Sequence, residues 1–288
     1  MAIAYPEAVC LRDQMAGVLV GKEITDVSVV DVAVFDGDWR YGSIIQPPLL
    51  FRSSLRNGTV TGVDRVANSL FLNTDTGHAL GLGYLSGRVT YHDPGEPLPK
   101  RSCLSVRFAD DSHLSAVISL WGLVRVLDDA ERVVYVARWH GSAVEPRSER
   151  FTWEGFHDAV SRIEEPRLSI KKFLHAFEPG YYVSGLDAGY ALEILHRAGV
   201  HPKRKLRSLT LEEQHACYNS VNLVAQEAID KGGRYSEVDL YGRPGGFMPH
   251  VCKARLDEPC PVCGTRIEKF PFEGASCYVG RTCQPLGR

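Results

Sequence analysis

The last thirty residues hold the side chains most suited to chemistry: EPCPVCGTRIEKFPFEGASCYVGRTCQPL. Cys260 and Cys263 form a C-x-x-C pair followed by Gly264. At that spacing two thiolates share one metal while backbone N–H groups turn toward the sulfurs, and a tetrahedral structural zinc then needs two further ligands. The competing reading is a hairpin without metal, held by packing of Ile267, Phe270 and Phe272. A second grouping is cationic. Between Ile194 and Leu211 the chain carries Arg197, Lys203, Arg204, Lys205 and Arg207 with no acid among them, and Lys171 and Lys172 precede them. Such a run is either a solvated face or a set of phosphate contacts. The thiols of Cys10, Cys103 and Cys217 read most simply as core, and the glycines of Gly242-Arg243-Pro244-Gly245-Gly246 lack the lysine and serine or threonine of a phosphate-binding P-loop.

These residues need elements to hold them. In Ser169–Pro202 a short amphipathic helix carries Ile170, Phe173, Leu174 and Phe177, and Glu178-Pro179-Gly180 ends it. A second helix carries Leu186, Tyr190, Ala191, Ile194 and Leu195 on one face and stops at Gly199. Two helices joined by a tight, glycine-containing turn either form an ordinary core hairpin or aim backbone N–H groups at a phosphate.

The remainder organises around this pair. A helix is expected over 6–20, a β-rich stretch over 24–34, and loops at Asp36–Asp38 and Gln46–Pro48. From 58 to 137 short strands recur, ending with LVRVL and RVVYVA, separated by turn signals; this is the pattern of an antiparallel sandwich. The polar segment 141–150 reads as a linker. Helices follow over 152–163, with Thr152 as N-cap, and over 210–231, opened by the capping box Thr210–Glu213. The expected organisation is α+β: a β-sandwich domain with a leading helix over 1–140, a helical domain over 151–245 and a hairpin over 250–288.

The 288 residues suffice for two domains with a real core. The net charge is −2; residues 1–150 hold 15 Lys/Arg against 18 Asp/Glu (−3) and residues 151–288 hold 18 against 17 (+1). No global basic field exists, so nucleic-acid affinity has to come from local patches and carry a modest salt dependence. Eight cysteines without a secretory signal argue for thiols or metal rather than disulfides. The chain start has no basic n-region and no long apolar run, so the expectation is a cytoplasmic, monomeric protein without a membrane partner.

The strings SIKKFL, VSGLDAGYALEIL and AGVHP resemble the helix–two-turn–helix segment of the formamidopyrimidine-DNA glycosylase / endonuclease VIII family, which reads roughly SIK.FLL, VAGIGNIYADEIL and AGIHP. Asp187-Ala188 stands where the family has Gly-Asn. The resemblance extends weakly through the β-rich half and again into the tail, where Tyr241–Gly246 is similar to the family's YGREG loop. It implies a two-layer antiparallel β-sandwich with a leading helix, then a helix–two-turn–helix bundle and a zinc-finger-like β-hairpin.

It also implies site residues. The family's zinc is held by two C-x-x-C knuckles; Gly280 stands where the second knuckle opens and Cys283 where it closes, so the expected ligands are Cys260, Cys263, Cys277 and Cys283. Ala275 replaces the finger's phosphate-clamping arginine. Lys171, Lys172, Lys203, Arg204, Lys205 and Arg243 are the expected DNA contacts. In the family's base-gap loop Leu85 becomes the filler, and Trp121 becomes a duplex wedge. Aligning Pro6-Glu7 on the family's second Pro-Glu puts Ile3 and Ala4 at its catalytic pair, and Asn68 at its second lysine. The remaining candidate nucleophile is the amine of Ala2 after methionine removal, with pKa near 8 and with Glu7 as proton carrier. The alternative is a frayed terminus and a structural Glu7. The function implied is a base-excision-repair DNA N-glycosylase with abasic-site lyase activity, acting on double-stranded DNA at a flipped-out nucleotide, with zinc as cofactor; the alternative is a catalytically degenerate relative that binds DNA or a partner.

Overall fold

Helix α1 (Tyr5–Leu19) starts where Pro6 can sit without losing a backbone bond. It buries Leu11, Met15 and Leu19. The computed structural model describes residues 3–29, 46–83, 85–118, 122–141, 143–175 and 182–287; Ala2, Trp121 and the expected helix stop at 178–180 lie outside them, as does the loop at 36–38. The chain divides into two compact units, 1–138 with 231–246, and 139–230 with 247–288. The stretch 231–246, expected to close the helical domain, therefore packs with the first unit.

In the first unit two four-stranded antiparallel sheets stack. One has the order β1 (Ile24–Val29), β6 (Leu104–Phe108), β7 (His113–Ile118), β5 (Gly87–His92); the other β2 (Val60–Val66), β3 (Ser69–Thr74), β4 (Ala79–Gly83), β8 (Leu123–Leu127). One core joins Leu72, Leu80 and Val126 from one sheet to Val106, Phe108 and Leu114 from the other, with Met15 of α1 and Phe51 of α2 (Pro48–Leu55). This is the expected sandwich, each sheet turning one face inward.

Two elements differ from expectation. Gln46–Pro48 was expected as a loop, but Pro48 opens α2 as its first residue. RVVYVA was expected as a strand and is instead part of helix α3 (Asp129–Trp139). Its β-branched residues are overridden by a reciprocal cap: Glu131 N–H donates to Asp128 Oδ1 at 2.8 Å and Asp128 N–H to Glu131 Oε2 at 3.0 Å. Tyr135 is then buried while Val133 and Val134 face solvent.

The second unit is built from α4 (Trp153–Arg162), α5 (Ile170–His175), α6 (Ala188–Arg197), α7 (Leu211–Asp230) and the hairpin β9 (Ile267–Phe272) and β10 (Ala275–Gly280). Thr152 caps α4 as expected, its hydroxyl accepting from Gly155 N–H at 3.1 Å. Helix α6 packs against α5, α7 and β10, and Tyr190 through His196 are all buried. Among the described residues no helix is long and apolar enough to cross a membrane.

Candidate metal centre and nucleic-acid interface

The first knuckle forms as its sequence dictates. Gly264, at φ +72°, turns the chain so that its N–H reaches Cys260 C=O at 2.8 Å, and Cys260 N–H reaches Thr265 C=O at 2.7 Å. The Sγ atoms of Cys260 and Cys283 lie 3.7 Å apart. Cys263 Sγ sits 2.9 Å from Thr265 Oγ1. That contact, with weaker ones to Cys283 and Cys260, holds its thiol down to about 6, whereas burial first, and then the neighbouring thiols, push Cys283 up to about 12. Cys260 and Cys283 thus face each other with Cys263 of the same knuckle beside them, an arrangement in which a bound cation stabilises the thiolates.

Cys277 does not join them. Its Sγ lies 3.9 Å from Phe272 C=O, buried among Ile267, Leu192 and Val251. It sits mid-strand in β10, paired with Phe270 of β9, so the pleat points it into the apolar cluster. The expected four-cysteine set is corrected accordingly. The atom found instead beside the knuckle is Nε2 of His196, in the last turn of α6, 3.2 Å from Cys260 Sγ. His196, Cys260 and Cys283 offer ligand atoms all within 4.8 Å of one another. Burial depresses the His196 pKa, which favours the neutral, ligating imidazole. Gln284, fully buried, ties this corner together: its amide donates to Val200 C=O at 2.9 Å, beyond the end of α6, and its carbonyl accepts from Gly280 N–H at 3.3 Å. The sulfur and nitrogen donors suit zinc.

Asp187 caps α6, its carboxylate accepting from Tyr190 N–H at 3.0 Å. A carboxylate thus occupies the N-terminus where the helix dipole favours an anion. At the core of α6, Glu193 is fully buried; it accepts from Arg197 Nε at 2.7 Å and from the N–H of His250 at 2.7 Å. Arg197 reaches on to Glu227 of α7.

The basic residues separate into two groups. Lys171 is fully buried, its ammonium donating to Phe272 C=O at 2.8 Å at the hairpin turn. Arg204 is 7% exposed and forms a two-pronged pair with Glu213 at 2.8 and 2.9 Å. Both are structural, so their expected place among the DNA contacts is corrected: neither presents its charge to solvent. Lys205 and Arg243 are exposed, and Lys172 and Lys203 half-buried. Lys203 Nζ lies 4.6 Å from the Phe270 ring centroid, and Arg243 lies 5.5 Å from that of Tyr241.

In the first unit the expected catalytic positions are closed in. Ile3 and Leu85 are buried, and Ile3 N–H donates to Leu85 C=O at 2.8 Å. Leu85 belongs to the sandwich core, so it is not poised to fill a gap in a duplex. Asn68, also buried, donates to Ile3 C=O at 3.4 Å. Glu7 is 3% exposed, and both its oxygens are engaged: Oε2 accepts from Ala4 N–H at 3.1 Å and Oε1 from Arg234 N–H at 3.0 Å, with the Arg234 guanidinium 3.5 Å away. These bonds hold the start of α1 to the 231–246 segment, which agrees with the alternative of a structural Glu7.

Residues 143–239 match the family described as the formamidopyrimidine-DNA glycosylase H2TH domain. A formamidopyrimidine-DNA glycosylase of Cytobacillus firmus is 27% identical over 288 residues, covering 97% of this chain and 98% of the relative. One from an Exiguobacterium species is 29% identical over 283 residues, covering 96% and 97%. Among solved structures, the Lactococcus lactis Fpg in complex with DNA containing an abasic site aligns with a TM-score of 0.83 at 21% identity, covering 98% of this chain and 99% of that one. MutM in complex with DNA containing carbocyclic 8-oxo-G aligns with a TM-score of 0.82 at the same identity and over the same shares.

Proposed function

The chain belongs to the formamidopyrimidine-DNA glycosylase family, and on that premise we propose that it is a base-excision-repair DNA glycosylase acting on double-stranded DNA at a damaged or abasic nucleotide. The observation that carries this reading is the full-length match: the helix–two-turn–helix domain lies at 143–239, and the same fold runs end to end in relatives captured on lesion-containing DNA. A scaffold alone does not make an activity, so the chemistry has to be located in this chain's own residues.

The exposed cations Lys205 and Arg243, with the half-buried Lys172 and Lys203, are the phosphate contacts in this reading. They position the duplex without reading its sequence. The aromatic rings under Lys203 hold its ammonium at the surface of the hairpin. Zinc at the tail cysteines supplies fixed geometry to that hairpin.

For the reaction, the family's proline amine, glutamate and lysine have no counterparts in Ile3, Ala4 and Asn68. The nucleophile proposed is the primary α-amine of Ala2 once methionine is removed. The amine attacks C1′ and expels the base, and loss of a proton and ring opening of the sugar leave an imine. Glu7, already bonded at both oxygens, takes no part in the proton transfers. Borohydride trapping on a duplex carrying one abasic site tests this. The expected result is a covalent protein–DNA adduct that disappears when the α-amine is acetylated. Base release from a damaged duplex without any trapped adduct would replace the amine by water as nucleophile. Neither base release nor trapping across a panel of oxidised and ring-opened purines would overturn the enzymatic reading.

A further inference from the structure

We propose that His196, carried by helix α6, is the fourth ligand of a Cys3His zinc site formed with Cys260, Cys263 and Cys283. The inference rests on the zinc reading above and changes its ligand set: one ligand comes from the helix–two-turn–helix element rather than from the tail.

The geometry points there first. A tetrahedral zinc with thiolates at about 2.3 Å and imidazole nitrogen at about 2.0 Å has S···S edges near 3.8 Å and S···N edges near 3.5 Å. Cys260 and Cys283 are separated by 3.7 Å, and His196 Nε2 lies 3.2 Å from Cys260 Sγ. The trio is already close to ligand spacing, whereas Cys277 is not among these neighbouring ligand atoms.

Gly280 gives the second argument. It stands where the family's second knuckle opens with a ligand, and its backbone is not in the left-handed region that calls for glycine. What it supplies is room. A Cβ built there lies 3.0 Å from Cys260 Sγ and 3.6 Å from His196 Nε2. A cysteine at 280 and a histidine at 196 compete for one corner of the site, so the glycine and the histidine read as one exchange: the ligand is withdrawn from the hairpin and supplied from the helix facing it.

The surroundings of the ring provide the third. His196 Nδ1 is buried and has no hydrogen-bond partner among the described residues, while Nε2 faces sulfur. Glu193 and His250 offer donor atoms within 4.8 Å of one of the histidine's ring nitrogens. A carboxylate near a ligating imidazole is the usual means of fixing its orientation. Glu193 is already committed to Arg197 and to the backbone of His250, so the cluster of Glu193, His196 and His250 is not read as a separate metal site.

The consequence is mechanical. His196 and Cys260 are 64 positions apart, so the metal closes a long loop and fastens the hairpin directly to the helix that follows the two-turn bend. Loss of metal then loosens α6 as well as the finger, which a site confined to the tail would not do.

Cobalt substitution of the full chain tests the assignment by counting thiolates. The wild-type protein is expected to bind one cobalt with charge-transfer intensity for three thiolates. Cys277→Ala is expected to leave both spectrum and affinity unchanged. His196→Ala should weaken cobalt binding by more than the roughly 10- to 100-fold typical of losing a supporting partner, and His196→Ala combined with Gly280→Cys should recover binding with a fourth thiolate band. A four-thiolate spectrum in the wild type that falls to three in Cys277→Ala would overturn the His196 assignment and leave the zinc reading standing. Failure of the wild-type protein to bind cobalt or zinc at all would remove the zinc reading and this inference with it.

Discussion

Gly280 and Ile3 each stand where the family pattern asks for a functional group, one at the metal and one at the catalytic amine. Around Gly280 the missing group is answered in space: an imidazole from α6 lies within 3.2 Å of the first cysteine sulfur, and glycine leaves the room for it. Around Ile3 the described residues offer no such answer. Its neighbours are Leu85, a core residue, and Asn68, an amide, and Glu7 nearby is bonded at both oxygens. A metal accepts a ligand from any element that brings a lone pair to the right corner. A nucleophile at C1′ has to be one reactive atom placed against one substrate carbon, so it is not replaced by proximity alone. On the proposed readings, the second unit answers a missing ligand with a residue from another element, while among the described residues the first unit holds no replacement for the missing amine.

The comparison breaks or sharpens in several ways. Metal removal has the largest expected effect, since apparent binding free energies for structural zinc in small fingers run to about 10–16 kcal/mol. On chelation the amides of β9, β10 and the last turn of α6 should lose hydrogen-exchange protection while those of β3, β4 and β7 keep theirs. Equal loss in both units would mean that the metal is not local to the second. Next come the buried ion pairs. Glu7→Ala, which leaves Arg234 with its longer pair to Glu237, and Arg204→Ala, which leaves Glu213 with its bond from Thr210 N–H, are each expected to cost up to about 3 kcal/mol in denaturant unfolding. Glu7→Gln should retain base release, whereas a proton carrier at that position would lose it.

Smaller effects follow at the surface. Lys203→Ala and Lys205→Ala should each leave stability within about 0.5 kcal/mol and lower the salt slope of duplex binding by about one, equally for all sequences. The smallest is Asp187→Asn, which keeps the helix cap and removes a negative charge from the N-terminus of α6. A rise in duplex affinity of about two- to fivefold is expected from a dipole-scale term, read in a fluorescence titration.

Much of the fold was legible because its signals are local. Alternating short strands, Pro6 at a helix start and Thr152 as a cap each produced the expected element. Where local signals conflicted, the weaker was over-read: the β-branched string in RVVYVA outvoted the Asp128–Glu131 cap that decides the helix. Pro47-Pro48 suggested a loop although the second proline suits a first helical position. The basic run was legible as composition but not as exposure, since nothing in KRK distinguishes Arg204, which reaches Glu213, from the half-buried Lys203 and the exposed Lys205. The proposed ligand from α6 was not legible for a different reason. Spacing within the tail offers only Cys277 to replace Gly280, and a histidine 64 residues upstream becomes a candidate only when α6 is seen against β10.

Binding to a short duplex with a single stable abasic-site analogue, compared with the same duplex undamaged at one salt concentration, tests the central claim most directly. A glycosylase built on this scaffold is expected to favour the lesion duplex by at least about tenfold, or 1.4 kcal/mol, and to hold that preference when borohydride is absent. Equal affinity for the two duplexes would contradict the claim.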